Sequence, residues 1–429
     1  MEIRKEEKAS RFEKGYGMME GLRDLPKYLN GNTITAGSVA AIFGCTGPAL
    51  LVIKAATDGG LTHVQSISWL FSIYFIGGLV SIYLALRYKQ PINGAFNIPA
   101  VVMIVSVLKS YDIYQAAGAY FIAGIIVLLL GFSGLIGKVM RWLPLPIVMA
   151  MIAGAMIRFG TGIITSTQQA PVVGLLTLVG FFIIPKLTKK IPPVLGALVL
   201  GITAAAVNGS LSFKAASFKF IAPHLIMPQF SLGATLSVSI PLAILIIGSE
   251  NAQAAGVLMA QGYKAPINAM TMVSGIGSMI TAFFGGHNAN IAGPMTAICA
   301  SEEAGENKQG RYVASVVNGV LFALFGIVAS IALAFVAALP AALTNIVAGL
   351  AMINVLYSAF HDAFSVKKFK YGAFFALVIA MSNITVLKIS APLLAIIGGV
   401  VVSLLVEAND FKEEKKVIEV TEVSVEKTV

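Results

Sequence analysis

Long apolar runs constrain the fold of this chain more than any other feature of its sequence. Between residues 33 and 406 they follow one another at lengths of about 20 residues, enough for a helix to cross the hydrocarbon core of a bilayer. Only 12% of the 429 residues are charged and 57% are hydrophobic, whereas a soluble protein carries about 25% charged residues. The pattern predicts an all-α membrane protein that crosses the bilayer many times.

The apolar runs divide into fourteen predicted spans. They cover residues 33–53, 66–86, 92–108, 113–135, 144–162, 171–185, 194–208, 234–260, 268–284, 288–300, 312–336, 340–359, 371–386 and 391–406. With this count, 24 of the thirty Lys and Arg residues fall on one side of the membrane, five fall on the other, and Arg158 alone lies within a span. The positive-inside rule then places both termini in the cytoplasm, as tails of residues 1–32 and 407–429 on a multi-pass protein of the cell membrane. Because the positive charge is sorted by membrane side, the net charge of +10 does not indicate nucleic-acid binding.

Two of the spans begin in a way that does not suit an ordinary membrane helix. Residues 92–99 read INGAFNIP and residues 285–294 read GGHNANIAGP. Polar, glycine-containing backbone is tolerated at membrane depth only where protein or a cavity surrounds it, and the proline that follows suits the first turn of a helix. We therefore predict half-helices with short extended leads in spans three and ten, and an interruption of span one at residues 44–48.

Sequence identities between the two halves indicate an internal repeat. Residues 97–98 match residues 290–291 at an offset of 193, and residues 155–157 match residues 351–353 at an offset of 196. Because seven is odd, a second copy of seven spans enters the membrane from the opposite face. The repeat is therefore predicted to be inverted, and paired broken segments in such repeats point to the substrate site.

Glu250 is the one acidic residue of twenty that falls inside a predicted span. It lies midway between Leu236 and Lys264, about 21 Å of helix from each. A charged carboxylate near the bilayer midplane costs roughly 2.5–3.5 kcal/mol or more, so it faces a protein interior or a wet cavity and marks a functional site by default. A structural role, as a hydrogen-bond anchor between helices, stays open.

Three further residues have both a functional and a structural interpretation. His287 is a second candidate proton site or a capping group near an aqueous entrance. Arg158 either reaches out to the membrane surface or contacts substrate or a gate, because an intramembrane arginine needs a partner. Thr46 belongs to the break in span one and is a candidate to line the site.

Several stretches together resemble the benzoate/proton symporter family. They are Ser249-Glu250-Asn251-Ala252 with AQGYKAP at residues 260–266, the residues 297–299 with the acidic loop after them, and residues 153–160 in span five. The resemblance covers about residues 30–406, and the order and spacing of the stretches are more specific than any one motif. It implies the seven-plus-seven fold of nucleobase and sulfate carriers, and by analogy a homodimer formed through the gate domain.

The resemblance also implies two domains. Spans 1–4 and 8–11 (residues 33–135 and 234–336) would form a core domain, and spans 5–7 and 12–14 (residues 144–208 and 340–406) would form a gate domain. Transport in this fold class is attributed to movement of the core against the gate. The substrate would bind between the half-helices of spans three and ten, beside span eight.

The chain departs from the family pattern at Glu250. In benzoate carriers we expect Ser-Gln-Asn where this chain has Ser249-Glu250-Asn251. A glutamate here is more similar to nucleobase carriers, which also tend to have a second glutamate in span ten, where this chain has Asn288 and Asn290. The substrate therefore stays open between an aromatic carboxylate and a nucleobase or another small anion.

Such a site suits an anion and a proton together. Two half-helix N-termini at mid-membrane would offer unpaired N–H groups and partial positive charge to a carboxylate. A protonated Glu250 would donate a hydrogen bond to that anion, whereas an ionised Glu250 would repel it. Phe96 is expected to stack on a substrate ring, and the expected polar contacts are Asn93, Asn97, Asn251, Asn288 and Asn290. The sequence thus predicts symport of a proton and a small molecule, with no cofactor and no metal.

A channel and an intramembrane enzyme are the rival classes. A channel needs a continuous polar lining, whereas the polarity here is concentrated at one depth. For an enzyme, the sequence has no HExxH motif, no paired acids on a cytoplasmic loop, and no Ser or Cys nucleophile with a His partner. The sequence therefore favours a carrier.

Overall fold

The computed structural model describes residues 12–134, 144–188, 191–212, 219–382, 384, 386 and 391–411. Residues 1–11 and 412–429 of the predicted tails lie outside the described residues. So do short stretches of the connections, and with them six of the cations used to assign the membrane sides: Lys138, Arg141, Lys189, Lys190, Lys214 and Lys388.

Helices make up nearly all of the described secondary structure. In chain order they are α1 Met18–Tyr28, α2 Gly31–Cys45, α3 Gly47–Asp58, α4 His63–Tyr88, α5 Ile98–Leu108, α6 Ile113–Ser133, α7 Leu145–Gln169, α8 Pro171–Leu187, α9 Pro193–Val207, α10 Leu232–Ala260, α11 Ile267–Ala282, α12 Gly293–Ala300, α13 Tyr312–Ile327, α14 Ala329–Ala337, α15 Ala341–Ala351, α16 Ile353–Phe364, α17 Lys370–Ser382 and α18 Ala391–Val406. Two short strands, β1 Gly94–Ala95 and β2 Asn290–Ile291, precede α5 and α12. Helix α10 contains two π-helical segments, Thr235–Ser239 and Ile246–Asn251.

Six stretches of the described chain are long and apolar enough to cross a membrane as single helices. They are Gly31–Asp58, α4, α6, α7, α10 and Lys308–Ile327; the pair α14 and α15, bent by 120°, would count as a seventh only if the two helices formed one span. The apolar helices α5, α8, α9, α11, α17 and α18 are shorter, at 10–17 residues. Length alone therefore identifies fewer spans than the fourteen predicted, because many of the predicted segments form short helices.

Several predicted span boundaries differ from the structure. Helix α7 continues to Gln169 rather than ending at residue 162, and the predicted span 312–336 is divided between α13 and α14. The first span is broken at Thr46, within the predicted interruption, and its second half continues to Asp58 rather than ending at residue 53. The predicted span 340–359 consists of α15 and α16, and α16 continues to Phe364. Asp362, which lies outside every predicted span, is therefore part of this helix.

Close glycine contacts hold the longest helices together. Gly78 of α4 and Gly319 of α13 face one another so closely that a Cβ on Gly78 would lie 2.4 Å from the Gly319 carbonyl oxygen, and one on Gly319 would lie 2.7 Å from the Gly78 carbonyl oxygen. Gly124 of α6 and Gly275 of α11 are related in the same way. Small residues of this kind let membrane helices pack backbone to backbone.

Helix α1 lies before the first span and is bound to the end of α4. Lys89 Nζ donates to Asp24 Oδ2 at 2.6 Å, and Tyr312 Oη donates to the Gly21 carbonyl at 2.8 Å. The hydrogen bond from Lys89 lowers the pKa of Asp24 below its ordinary value. The helix is thereby fixed against the ends of α4 and α13.

Candidate functional site

The two broken segments meet through their extended leads. Strands β1 and β2 pair antiparallel, with Gly94 opposite Ile291 and Ala95 opposite Asn290. Both strands are buried. Because helices α5 and α12 begin directly after these strands, the ladder brings the two helix N-termini to the same place in the protein interior.

Glu250 lies at this meeting point. Its carboxyl group faces the backbone N–H groups of Ile98 and Gly293, the first residues of α5 and α12. The side chain belongs to the π-helical segment of α10 and is only 6% exposed. One carboxyl group thus lies in front of both half-helix N-termini, where unpaired N–H groups and the helix dipoles favour negative charge.

A cavity of about 610 Å³ opens in front of Glu250. Its walls come from residues 95–96, 98–99, 292, 294–295 and 297–298 at the two half-helix starts, residues 248–250 and 252–253 of α10, the break near Pro48, and the helices α7, α13, α15 and α16. Most of this wall is apolar, with Phe43, Phe96, Met149 and Phe322 among its residues. A cavity of this size with few polar groups is typical of small-molecule sites.

The polar lining comes from two helices on different sides of the cavity. Helix α10 contributes Ser249, Glu250 and Gln253, and α16 contributes Asn354, Ser358 and Asp362. The α16 residues are not among those predicted from the sequence. Their spacing of four, which puts them on one helix face, was the available signal.

The predicted asparagines are close to the site, but most of them bond to protein groups. Asn97 Oδ1 accepts from the Ala100 N–H at 2.8 Å, and Asn97 Nδ2 donates to the Leu245 carbonyl at 2.8 Å. Asn93 Nδ2 donates to the Met295 carbonyl at 3.2 Å. These side chains are fully buried, and they connect the half-helices to each other and to α10.

Asn251 and Asn288 also support the leads. Asn251 Oδ1 accepts from the Ile291 N–H at 2.8 Å, and Asn288 Oδ1 accepts from the Asn97 N–H at 3.1 Å. By contrast, Asn288 Nδ2 and both polar atoms of the Asn290 side chain are buried without a hydrogen-bond partner among the described residues. Of the predicted substrate contacts, only Glu250 and Phe96 line the cavity.

His287 is fully buried beside the leads, and both of its ring nitrogens contact protein groups. Trp69 Nε1 donates to His287 Nδ1 at 3.0 Å, and His287 Nε2 lies 3.1 Å from the Asn97 carbonyl oxygen. These partners require Nε2 to carry the proton and Nδ1 to accept, which is a neutral imidazole.

Neither Arg158 nor Thr46 lines the cavity. Arg158 Nη2 donates to the Val102 carbonyl of α5 at 3.2 Å and lines a separate cavity of about 40 Å³ with Ser106 and Pro392. Thr46 Oγ1 donates to the Ile42 carbonyl at 2.8 Å, at the break between α2 and α3. Within the described residues, no group of three or more His, Cys, Asp or Glu side chains is placed to hold a metal ion.

Sequence comparison identifies related membrane proteins. The family model described as "Benzoate membrane transport protein" matches residues 28–405. The chain is 28% identical over 387 residues to the inner membrane protein YdcO of Escherichia coli (strain K12), covering 88% of this chain and 98% of YdcO. It is 26% identical over 323 residues to the benzoate membrane transport protein of Acinetobacter baylyi (strain ADP1), covering 75% of this chain and 82% of that protein.

Structural comparison identifies the fold. The chain resembles the transmembrane domain of the cyanobacterial bicarbonate transporter BicA with a TM-score of 0.61 and 16% identity, covering 86% of this chain and 97% of that domain. At this level of identity the likeness concerns the fold alone. The protein is thus a multi-pass helical membrane protein with the fold of that domain.

Proposed function

This chain belongs to the family of benzoate membrane transport proteins, and on that premise we propose that it is a secondary active transporter that carries benzoate, or a similar small aromatic carboxylate, together with a proton across the cell membrane. One observation carries the proposal: Glu250 lies at the N-termini of α5 and α12 and faces a cavity of small-molecule size. Family and fold are those of transporters and not of enzymes. The family match favours an aromatic acid over a nucleobase.

Competition for two N–H groups would couple the proton to the substrate. An ionised Glu250 would accept hydrogen bonds from the N–H groups of Ile98 and Gly293, which its carboxyl group faces, and its charge would repel a second carboxylate. Protonation removes that charge and weakens the hold on the N–H groups, since a charged acceptor binds about twice as strongly as a neutral one. The substrate carboxylate can then take the N–H groups, with the protonated Glu250 as an additional donor. Substrate and ionised Glu250 exclude one another, so substrate binds with a proton.

The apolar wall would hold the aromatic ring. Phe96, next to the half-helix start, and Phe322 lie on the same cavity as Glu250, and Met149 and Ile152 contribute from α7. Aromatic pairs in stacked or edge-to-face contact contribute about 0.5–1.5 kcal/mol beyond the burial of their surface. Of the other predicted contacts, Asn288 and Asn290 retain buried amide groups without protein partners among the described residues. Because neither lines the cavity, we assign these groups to buried water beside the leads and not to the substrate.

We assign the remaining candidates supporting roles. His287 and Asn93, Asn97 and Asn251 hold the leads in place through the hydrogen bonds given above, and Thr46 shapes the break in the first span. Arg158 joins α7 to α5, which makes it a contact between the gate domain (residues 144–208 and 340–406) and the core domain (residues 33–135 and 234–336). In this proposal the protein is a homodimer formed through the gate domains.

The proposed architecture has fourteen spans in two inverted sets of seven, with both termini cytoplasmic. The antiparallel pairing of β1 with β2 supports it, because it relates span three to span ten. In this orientation Leu145 and Asp362, which line the cavity, lie at the cytoplasmic ends of their spans. The cavity would then open to the cytoplasm, in an inward-facing state.

Uptake into proteoliposomes tests the proposal. With the vesicle lumen more alkaline than the medium, labelled benzoate should accumulate, and unlabelled benzoate should compete better than uracil, xanthine or simple aliphatic carboxylates. Accumulation should disappear with a protonophore. Uptake that does not depend on the pH gradient would refute the proton coupling. Uptake that uracil suppresses better than benzoate would refute the assigned substrate.

A further inference from the structure

Helix α16 presents a polar stripe to the cavity. Asn354, Ser358 and Asp362 all line the cavity and recur every four residues, so they share one helix face over about 12 Å of its length. Ser358 Oγ donates to Asp362 Oδ2 at 3.4 Å. The neighbouring α7 residues on the cavity, among them Met149 and Ile152, are apolar. The stripe is therefore the polar side of the gate-domain wall.

We propose that this stripe is the path along which the proton leaves Glu250 for the cytoplasm after the substrate has been released, with Asp362 as the acceptor at the mouth of the cavity. The inference rests on the proton-coupled transport proposed above. Glu250 and Asp362 are the two acidic residues among the described residues that line the cavity, and they lie on opposite domains.

The chemistry of the lining requires such a path. A proton in transit carries a full charge, which an apolar wall does not solvate. A wide cavity admits water, and the Asn354 amide and the Ser358 hydroxyl each offer donor and acceptor sites that can hold it in place. The proton passes from the Glu250 carboxyl group to cavity water and from water to the Asp362 carboxylate, and Asp362 then releases it to bulk water. Glu250 is left as a carboxylate bound to the N–H groups of Ile98 and Gly293.

Other charged groups lie close to this end of α16. On the same helix is His361, and the connection to α17 brings Lys367 and Lys368. Helix α17 adds Lys370 and Tyr371 at its start. The charged residue of α7 is Arg158, past the middle of that helix, and α15 has no charged residue. None of these groups lines the cavity. The titratable groups on the described cavity wall are therefore Glu250 and Asp362.

Measurements of two transport modes distinguish a role of Asp362 in proton release from a role in substrate binding. Net uptake driven by a pH gradient requires a proton to be released in every cycle, whereas exchange of internal for external benzoate can proceed with the carrier still protonated. We would measure both in proteoliposomes for wild type, Asp362→Asn and Asp362→Glu, with an internal pH dye to follow the proton. Glu303→Gln, which removes an exposed carboxylate outside the cavity, is the matched control.

We expect Asp362→Asn to slow gradient-driven uptake and proton entry by about a hundredfold, as for loss of a positioned proton-transfer group. Exchange and the KM for benzoate should stay at wild-type values, Asp362→Glu should restore net uptake, and Glu303→Gln should behave as wild type. Equal losses in exchange and net uptake, or no loss in either, would overturn the path while leaving the proposed function intact. Wild-type protein that moves no protons with benzoate would overturn both.

Discussion

Trp69 and His287 lie 218 positions apart in the chain and are joined by a hydrogen bond of 3.0 Å from the indole Nε1 to the imidazole Nδ1. The other ring nitrogen of His287 lies 3.1 Å from the carbonyl oxygen of Asn97. One imidazole thus connects α4 to the leads of both half-helices. Its position in the sequence, next to a glycine pair, does not reveal either partner.

Replacement of His287 by Leu should destabilise the protein without changing the pH dependence of uptake. The change leaves the Trp69 N–H and the Asn97 carbonyl buried and unpaired, at a cost of about 1–3 kcal/mol for each group. Thermal unfolding in detergent would measure this loss, with His63→Leu, at an exposed helix start, as the control. A His287→Leu protein of normal stability whose uptake had a shifted pH profile would instead make His287 a proton site.

Replacement of Glu250 by Gln should uncouple substrate from proton. The amide has almost the same shape and retains an oxygen for the N–H groups of Ile98 and Gly293, but it exchanges no proton. Benzoate affinity, which should rise in the wild type as the pH falls, should become independent of pH, and accumulation against a gradient should cease while exchange continues. Isothermal titration at several pH values and parallel uptake assays would show this. Unchanged pH dependence with continued accumulation would exclude Glu250 as the coupling site.

The starts of the two half-helices were predictable from the sequence. In each, a proline follows a polar, glycine-containing lead, and within a membrane such a proline suits the first turn of a helix. Glu250 was equally recognisable, since an acid amid apolar residues is conspicuous. The pairing of the two strands was not predictable from the sequence, because no local feature indicates that residues 94–95 pair with residues 290–291. Asp362 was missed because hydropathy decreases towards a helix end, so the boundary of α16 was placed too early.

Removal of the Arg158 guanidinium should loosen the contact between α7 and α5. The hydrogen bond to the Val102 carbonyl involves a charged donor, for which about 1.5–3 kcal/mol is typical, so Arg158→Gln should favour the outward-open state by about tenfold or more. Ser106→Cys, on the small cavity beside Arg158, would report this through labelling by an impermeant maleimide from outside, after Cys45 and Cys299 are replaced. Arg158→Lys, which keeps the charge, should give intermediate labelling. Equal labelling of all three proteins would argue against a gating contact.

Alanine at two helical glycines should have opposite effects on stability. At Gly319 the added Cβ would lie 2.7 Å from the Gly78 carbonyl oxygen, so α4 and α13 must separate; overpacking of this kind costs about 1–3 kcal/mol. At Gly256 a Cβ would meet nothing within 4 Å, and alanine should stabilise α10 by up to about 1 kcal/mol. Thermal unfolding of Gly319→Ala and Gly256→Ala compares the two directly. A Gly319→Ala protein as stable as the wild type would show that α4 and α13 can move apart without loss of stability.

The π-helical segment that contains Glu250 gives α10 a freedom that a regular helix lacks. A π turn holds one residue more than an α turn, and the segment Ile246–Asn251 is six residues long. If the surplus residue is passed on along the chain, the side chains between its old and new positions turn by about 100° about the axis. Rewinding six residues would thus swing the carboxyl group away from Ile98 and Gly293 while both half-helices stay still. Glu250 can therefore leave the two half-helix N-termini by a rotation within α10 alone. This rotation can precede any relative movement of whole domains.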